Sequence, residues 1–181
     1  MLISGSRQIR VARAWRLLLY CLIVVSPLIL KLIDGFYSGR DPIREVALSS
    51  ALTGFAIIML QPLLSARFRW IEHPFGLDRL LRFHRMTGLL AAVLILLHPV
   101  LLAISLGSTR LLLSLTLPWP LFLAKGTLLL ALLFALGALL HGVLKVPFQR
   151  WLRMHGILTP FILIGVFFTA ISLRSDSSFS R

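Results

Sequence analysis

Five histidines, in a chain with six acidic residues and one cysteine, are the side chains from which any chemistry has to be built. A neutral imidazole presents one lone pair to a metal while its other nitrogen donates a hydrogen bond. His84 and His98 stand 14 residues apart in one apolar run. On a helix that spacing leaves them about 40° apart around the axis and roughly 21 Å apart along it. They therefore share a face, one toward each side of a hydrocarbon core about 30 Å thick. Two imidazoles stacked in this way can each hold a haem, so that electrons cross an insulating layer in steps.

His155 lies four residues past Trp151, and His141 four residues before Lys145. Both positions fall at the depth of His84. His84 and His155 on different helices can bracket one iron, and His141 is either a second candidate ligand or a polar group at the interface. His73 sits among turn-forming residues and reads as an interfacial side chain. Arg79, Arg82, Arg85 and Arg153 flank the inner histidines. Their guanidinium groups match haem propionates as two-pronged donors, or they serve only to hold the topology.

Other chemistries lack their residues. A lone cysteine, Cys21, rules out an intrachain disulfide, a Cys-x-x-Cys zinc site and covalent attachment of a c-type haem. There is no Ser/His/Asp set, carboxylate pair or phosphate-binding loop, which argues against hydrolysis. The net charge of +13 could signal nucleic acid, but the cations lie between apolar runs and form no basic, aromatic-lined groove. Nucleic acid is not an expected partner.

The elements that must position the histidines are membrane helices. The chain has 181 residues of which 58% are hydrophobic, and its mean hydropathy is +0.93. Such a composition is solvated by lipid rather than by water. Five stretches approach the roughly 20 residues needed to cross a bilayer: Trp15 to Ile33, Val46 to Ser65, His84 to Leu106, Lys125 to Leu144, and Trp151 to Leu173. Lipid offers no partner to a bare backbone, and no dyad alternation suggests a barrel, so the fold class is all-α: an integral bundle of about five transmembrane helices. Asp34-Gly35, Arg40-Asp41-Pro42, His73-Pro74-Phe75-Gly76 and Lys145-Val146-Pro147 read as turns. Leu111 to Leu123, interrupted by Pro118-Trp119-Pro120, reads as an interfacial or re-entrant loop.

The basic start resembles that of a secretory signal, but Lys31 and Asp34 follow Leu30 where a small-residue cleavage site belongs. The first span is therefore read as retained. Arg7, Arg10, Arg13, Arg16, Arg67, Arg69, Arg79, Arg82, Arg85, Lys145, Arg150 and Arg153 fall on the side of the N-terminus, leaving seven of the 19 cations opposite. The positive-inside rule then predicts N-in and C-out. The expected organisation is a basic cytoplasmic tail over 1–14, one membrane domain over 15–173 and a short tail over 174–181.

The run Gly76-Leu77-Asp78-Arg79, then His84-Arg85-Met86-Thr87-Gly88, His98-Pro99, Arg150-Trp151 and His155 resembles the ferric reductase-like transmembrane domain. That domain is shared by ferric-chelate reductases, NADPH oxidases and the haem subunit of a periplasmic methionine sulfoxide reductase system. The likeness covers roughly Glu45 to Leu173. It implies an inner haem b between His84 and His155. For an outer haem it implies His98 and a position near Phe168 or Thr169, neither of which is histidine. The sixth helix and the flavin and nicotinamide domain of many relatives do not follow. The resemblance therefore implies a minimal subunit fed by a separate cytoplasmic flavin reductase, or an incomplete chain.

The expectation is a bacterial inner-membrane haem component of an oxidoreductase that carries electrons from a cytoplasmic donor outward. The acceptor would be ferric iron, a partner protein or oxygen. The alternative is a haem-free scaffold, assembly factor or small permease component.

Overall fold

The computed structural model describes residues 2–33, 41–113, 119–140, 143, 145 and 147–175, and no strand occurs among them. The helices are α1 (Leu2–Ile33), α2 (Pro42–Ser65), α3 (Arg69–Phe75), α4 (Leu77–Ser105), α5 (Arg110–Leu113), α6 (Trp119–Leu140) and α7 (Phe148–Ser175). Five carry stretches long and apolar enough to cross a membrane: Arg7–Ile33, Pro42–Ser65, Leu77–Ser105, Leu121–Leu140 and Gln149–Thr169. The all-helical, multi-pass architecture is as expected. Large apolar side chains such as Leu30, Met86, Phe161 and Ile164 face outward, while Ala47 and Ala91 are fully covered. That inversion of a water-soluble fold suits a lipid solvent, where helices associate by close packing of small residues.

Several boundaries differ from the apolar runs. Polarity marks where a span leaves lipid, whereas the helix persists until a cap stops it. Asp41-Pro42 holds a helix start, Arg40 lying outside the described residues: the Asp41 carboxylate accepts a hydrogen bond from the Ile43 amide at 3.0 Å, with Pro42 opening α2. His73-Pro74-Phe75 is not a turn. These residues belong to α3, whose Pro74 is buried and whose end comes only at Gly76. Trp119 to Leu123 is likewise helical, not loop, because Pro120 falls in the first turn of α6, where its missing N–H costs nothing. Pro99 leaves α4 unbroken.

The chain divides into two compact units, 1–102 and 103–181. In the first, Lys31 of α1 pairs with Glu45 of α2 at 2.6 Å, and the Arg13 Nε–H donates to the Pro74 carbonyl, fastening α1 to α3. Leu64, Ile71 and Leu80 form a buried cluster against Tyr20 and Phe83. Helices α2 and α4 approach at Gly54, where a Cβ would meet Ile95 at 2.8 Å. In the second unit, α6 and α7 pack together at Gly165, where a Cβ would stand 2.7 Å from the Thr127 hydroxyl oxygen.

Candidate haem-ligand sites

Helix α4 carries His84 and His98, both half-buried, in the first unit. The His84 ring faces the backbone of Gln61 on α2, and its Nδ1 is shielded from solvent. Around it lies a polar seam. The Gln61 amide donates to the Thr87 hydroxyl at 3.0 Å, and that hydroxyl donates back to the Phe83 carbonyl at 2.8 Å. Gln61 and Thr87 are each 9% exposed, which is costly in lipid unless such groups satisfy one another. Phe83 meets Tyr20 of α1 edge-on, with ring centroids 5.0 Å apart.

Farther along α4 from that seam, His98 Nδ1 lies 2.9 Å from the backbone carbonyl oxygen of Ala47. A carbonyl can only accept, so Nδ1 carries the proton and Nε2 the lone pair. This is the arrangement that orients an imidazole as a metal ligand. Sequence reasoning selected His98 but could not find its partner, because a backbone carbonyl leaves no mark in residue identity.

His155 belongs to α7 in the second unit. Its ring stacks on Phe134 of α6, with centroids 4.5 Å and planes 30° apart, and lies 5.6 Å from Trp151 one turn back. The Thr159 hydroxyl donates to the His155 carbonyl at 2.6 Å. Flat aromatic neighbours restrict the imidazole to few orientations. Farther along α7, Phe168 packs on Trp119 at 6.0 Å, and the buried Thr169 hydroxyl has no hydrogen-bond partner among the described residues. Arg85 and Arg153 are exposed on α4 and α7. His141 lies outside the described residues. His73 is exposed on α3.

Each unit thus presents its own histidines: His84 and His98 in one, His155 in the other. Among the described residues, no three His, Cys, Asp or Glu side chains gather as a metal cage would require. A haem iron asks for less, because the porphyrin supplies four ligands and the protein at most two. Imidazoles held one by one, through a backbone carbonyl at His98 and an aromatic stack at His155, fit that demand. Gln61, whose backbone faces the His84 ring, was not singled out in the sequence, although a lone amide within an apolar span is itself a signal of a polar contact.

The sequence model of the family described as Ferric reductase like transmembrane component matches residues 50–166, well over half of the chain. No curated protein and no solved structure matches it. The matched segment contains His84, His98 and His155.

Proposed function

The chain belongs to the ferric reductase-like transmembrane family, and from that premise we propose that it is the electron-carrying membrane component of an oxidoreductase, holding one haem b between His84 and His155. The observation that carries this reading is the family match over a segment that includes His84, His98 and His155. Bound haem supplies one-electron cycling of iron between its ferric and ferrous states. The protein's part is to lend two imidazoles and a low-dielectric sleeve. The Gln61 backbone faces the His84 ring, and Phe134 with Trp151 confines that of His155. Arg85 and Arg153 are suited to pair with the propionates.

Electrons would enter on the Arg-rich side, from a separate flavin reductase, and leave on the opposite side to ferric iron or a protein acceptor. The orientation rests on the positive-inside distribution of arginine and lysine. In this reading His98 holds no haem, since Phe168 and Thr169, the positions the resemblance implies for its partner, are poor donors to iron.

The test is a dithionite-reduced spectrum of the purified full chain with a pyridine haemochrome assay. Sharp b-type bands and a stoichiometry of one support the proposal. Protein that folds and inserts without any such bands favours the haem-free scaffold instead.

A further inference from the structure

Within the first unit a cavity of about 280 Å³ lies between α1, the end of α2, α3 and the start of α4. Its two ends differ in chemistry. Arg16, Trp70 and Arg79 stand at one, and Ile23, Leu60 and Phe83 carry the lining into the apolar bundle. From Arg16 to Ile23 the lining follows α1 for roughly 10 Å, about two helical turns. The cavity wall is almost wholly apolar, and the Arg16 side chain is held in place at its edge. The Arg16 guanidinium lies 4.7 Å from the Trp70 ring centre, and its Nη1 donates to the Ala12 carbonyl at 3.1 Å. Its Nε is buried and has no hydrogen-bond partner among the described residues. The Arg13 tie to Pro74 fixes α3, and with it Trp70, against α1.

Among the described residues no acidic side chain lines this cavity, and neither Arg16 nor Arg79 forms an ion pair. Two guanidinium groups at the cavity edge, with no ion-pair partner among the described residues, form a donor set for a phosphate. The exposed Trp15, Phe68 and Trp70 mark this end as the headgroup level, where aromatic rings collect. The volume falls just below the roughly 300–1,000 Å³ of pockets for compact drug-sized ligands. Its lining runs down from the headgroup level, which suits a flexible chain better than a rigid ring system.

We propose that this cavity binds one anionic phospholipid, its phosphate on Arg16 and Arg79 and part of one acyl chain along Ile23, Leu60 and Phe83. Among the described residues no histidine lines the cavity, and the proposal does not depend on haem binding. A zwitterionic lipid fits less well, because its ammonium group would meet two cations.

Native mass spectrometry of the full chain in a zwitterionic detergent, titrated with phosphatidylglycerol or phosphatidylcholine, tests the site. One phosphatidylglycerol per chain should be retained, with a preference of about ten-fold or more over phosphatidylcholine, as two arginines near an anionic headgroup imply. The double variant Arg16→Gln/Arg79→Gln should lose most of that preference, whereas Arg67→Gln/Arg69→Gln, at the same end but outside the cavity, should keep it. Equal retention of the two lipids, or a preference that survives loss of both cavity arginines, overturns the assignment. So does displacement of the lipid by inorganic phosphate at matched concentration, which would mean that the headgroup anion alone is recognised. Should the double variant fail to fold, Ile23→Trp decides, since it fills the chain end with both arginines in place. Phosphatidylglycerol retained at the wild-type level in that variant rejects the site.

Discussion

His98 is tied to α2 through the 2.9 Å contact between its Nδ1 and the carbonyl oxygen of Ala47. Its tautomer is thereby set before any metal arrives, with Nε2 as the only nitrogen able to ligate. Under the proposed function that nitrogen holds no iron. A haem to chain ratio of one, without carbon monoxide binding, is therefore expected for the wild type and for His98→Ala alike. Two haems in the wild type, with carbon monoxide binding lost in His98→Ala, would show instead that His98 holds a second, five-coordinate iron.

For the inner site, His84→Ala and His155→Ala should each abolish or convert the same low-spin signal, because a six-coordinate iron loses an axial ligand in either variant. His141→Ala should leave it intact. Electron paramagnetic resonance of the oxidised protein reads all three. Loss in His141→Ala with retention in His155→Ala would move the ligand to the fourth span.

Orientation can be checked independently of haem. A periplasmic reporter such as alkaline phosphatase, fused after Arg181, should be active, and a cytoplasmic reporter at the same place silent. The opposite pattern reverses both the topology and the proposed direction of electron flow.

The Gln61–Thr87 bond should stabilise the first unit by about 1 kcal/mol, the scale of interhelical hydrogen bonds within membranes. Thr87→Val, which keeps the shape and removes the hydroxyl, should lower the midpoint of unfolding in mixed micelles. Thr87→Ser should restore most of it. Equal stability of all three proteins would mean that the seam contributes nothing net.

Gly165→Ala should cost about 1–3 kcal/mol, because the new methyl would stand 2.7 Å from the Thr127 hydroxyl oxygen and 3.1 Å from its methyl. Thr127→Ala should relieve much of that loss. Gly156→Ala, with nothing within 4 Å of the added atom, should be neutral or slightly stabilising through helix propensity. Thermal unfolding of the four proteins separates packing from propensity.

The spans were legible because lipid imposes one rule on composition, namely enough apolar residues to cross and a helix to satisfy the backbone. His84 and His98 were legible for a related reason, since an ionisable side chain in such a run requires an explanation. Less visible were features set by position within a helix. Pro74 and Pro120 carry the same local signal as turn prolines, and only their places, late in α3 and in the first turn of α6, make them tolerable. The contact between His98 and Ala47 depends on which carbonyl α2 brings alongside α4. The stacking of His155 on Phe134 depends on the register of α6 against α7. Neither register is written in the spacing within a single helix.

The Lys31–Glu45 pair bears on how the protein is made as well as on how it stands. These two charges close the hairpin of α1 and α2, and in the proposed orientation they sit at the end that must be carried through the bilayer. Each charge taken alone would oppose insertion by about 2.5–3.5 kcal/mol if held at the bilayer centre. As a contact pair they travel with no net charge, so α1 and α2 are matched to enter the membrane as one hairpin rather than as two successive helices.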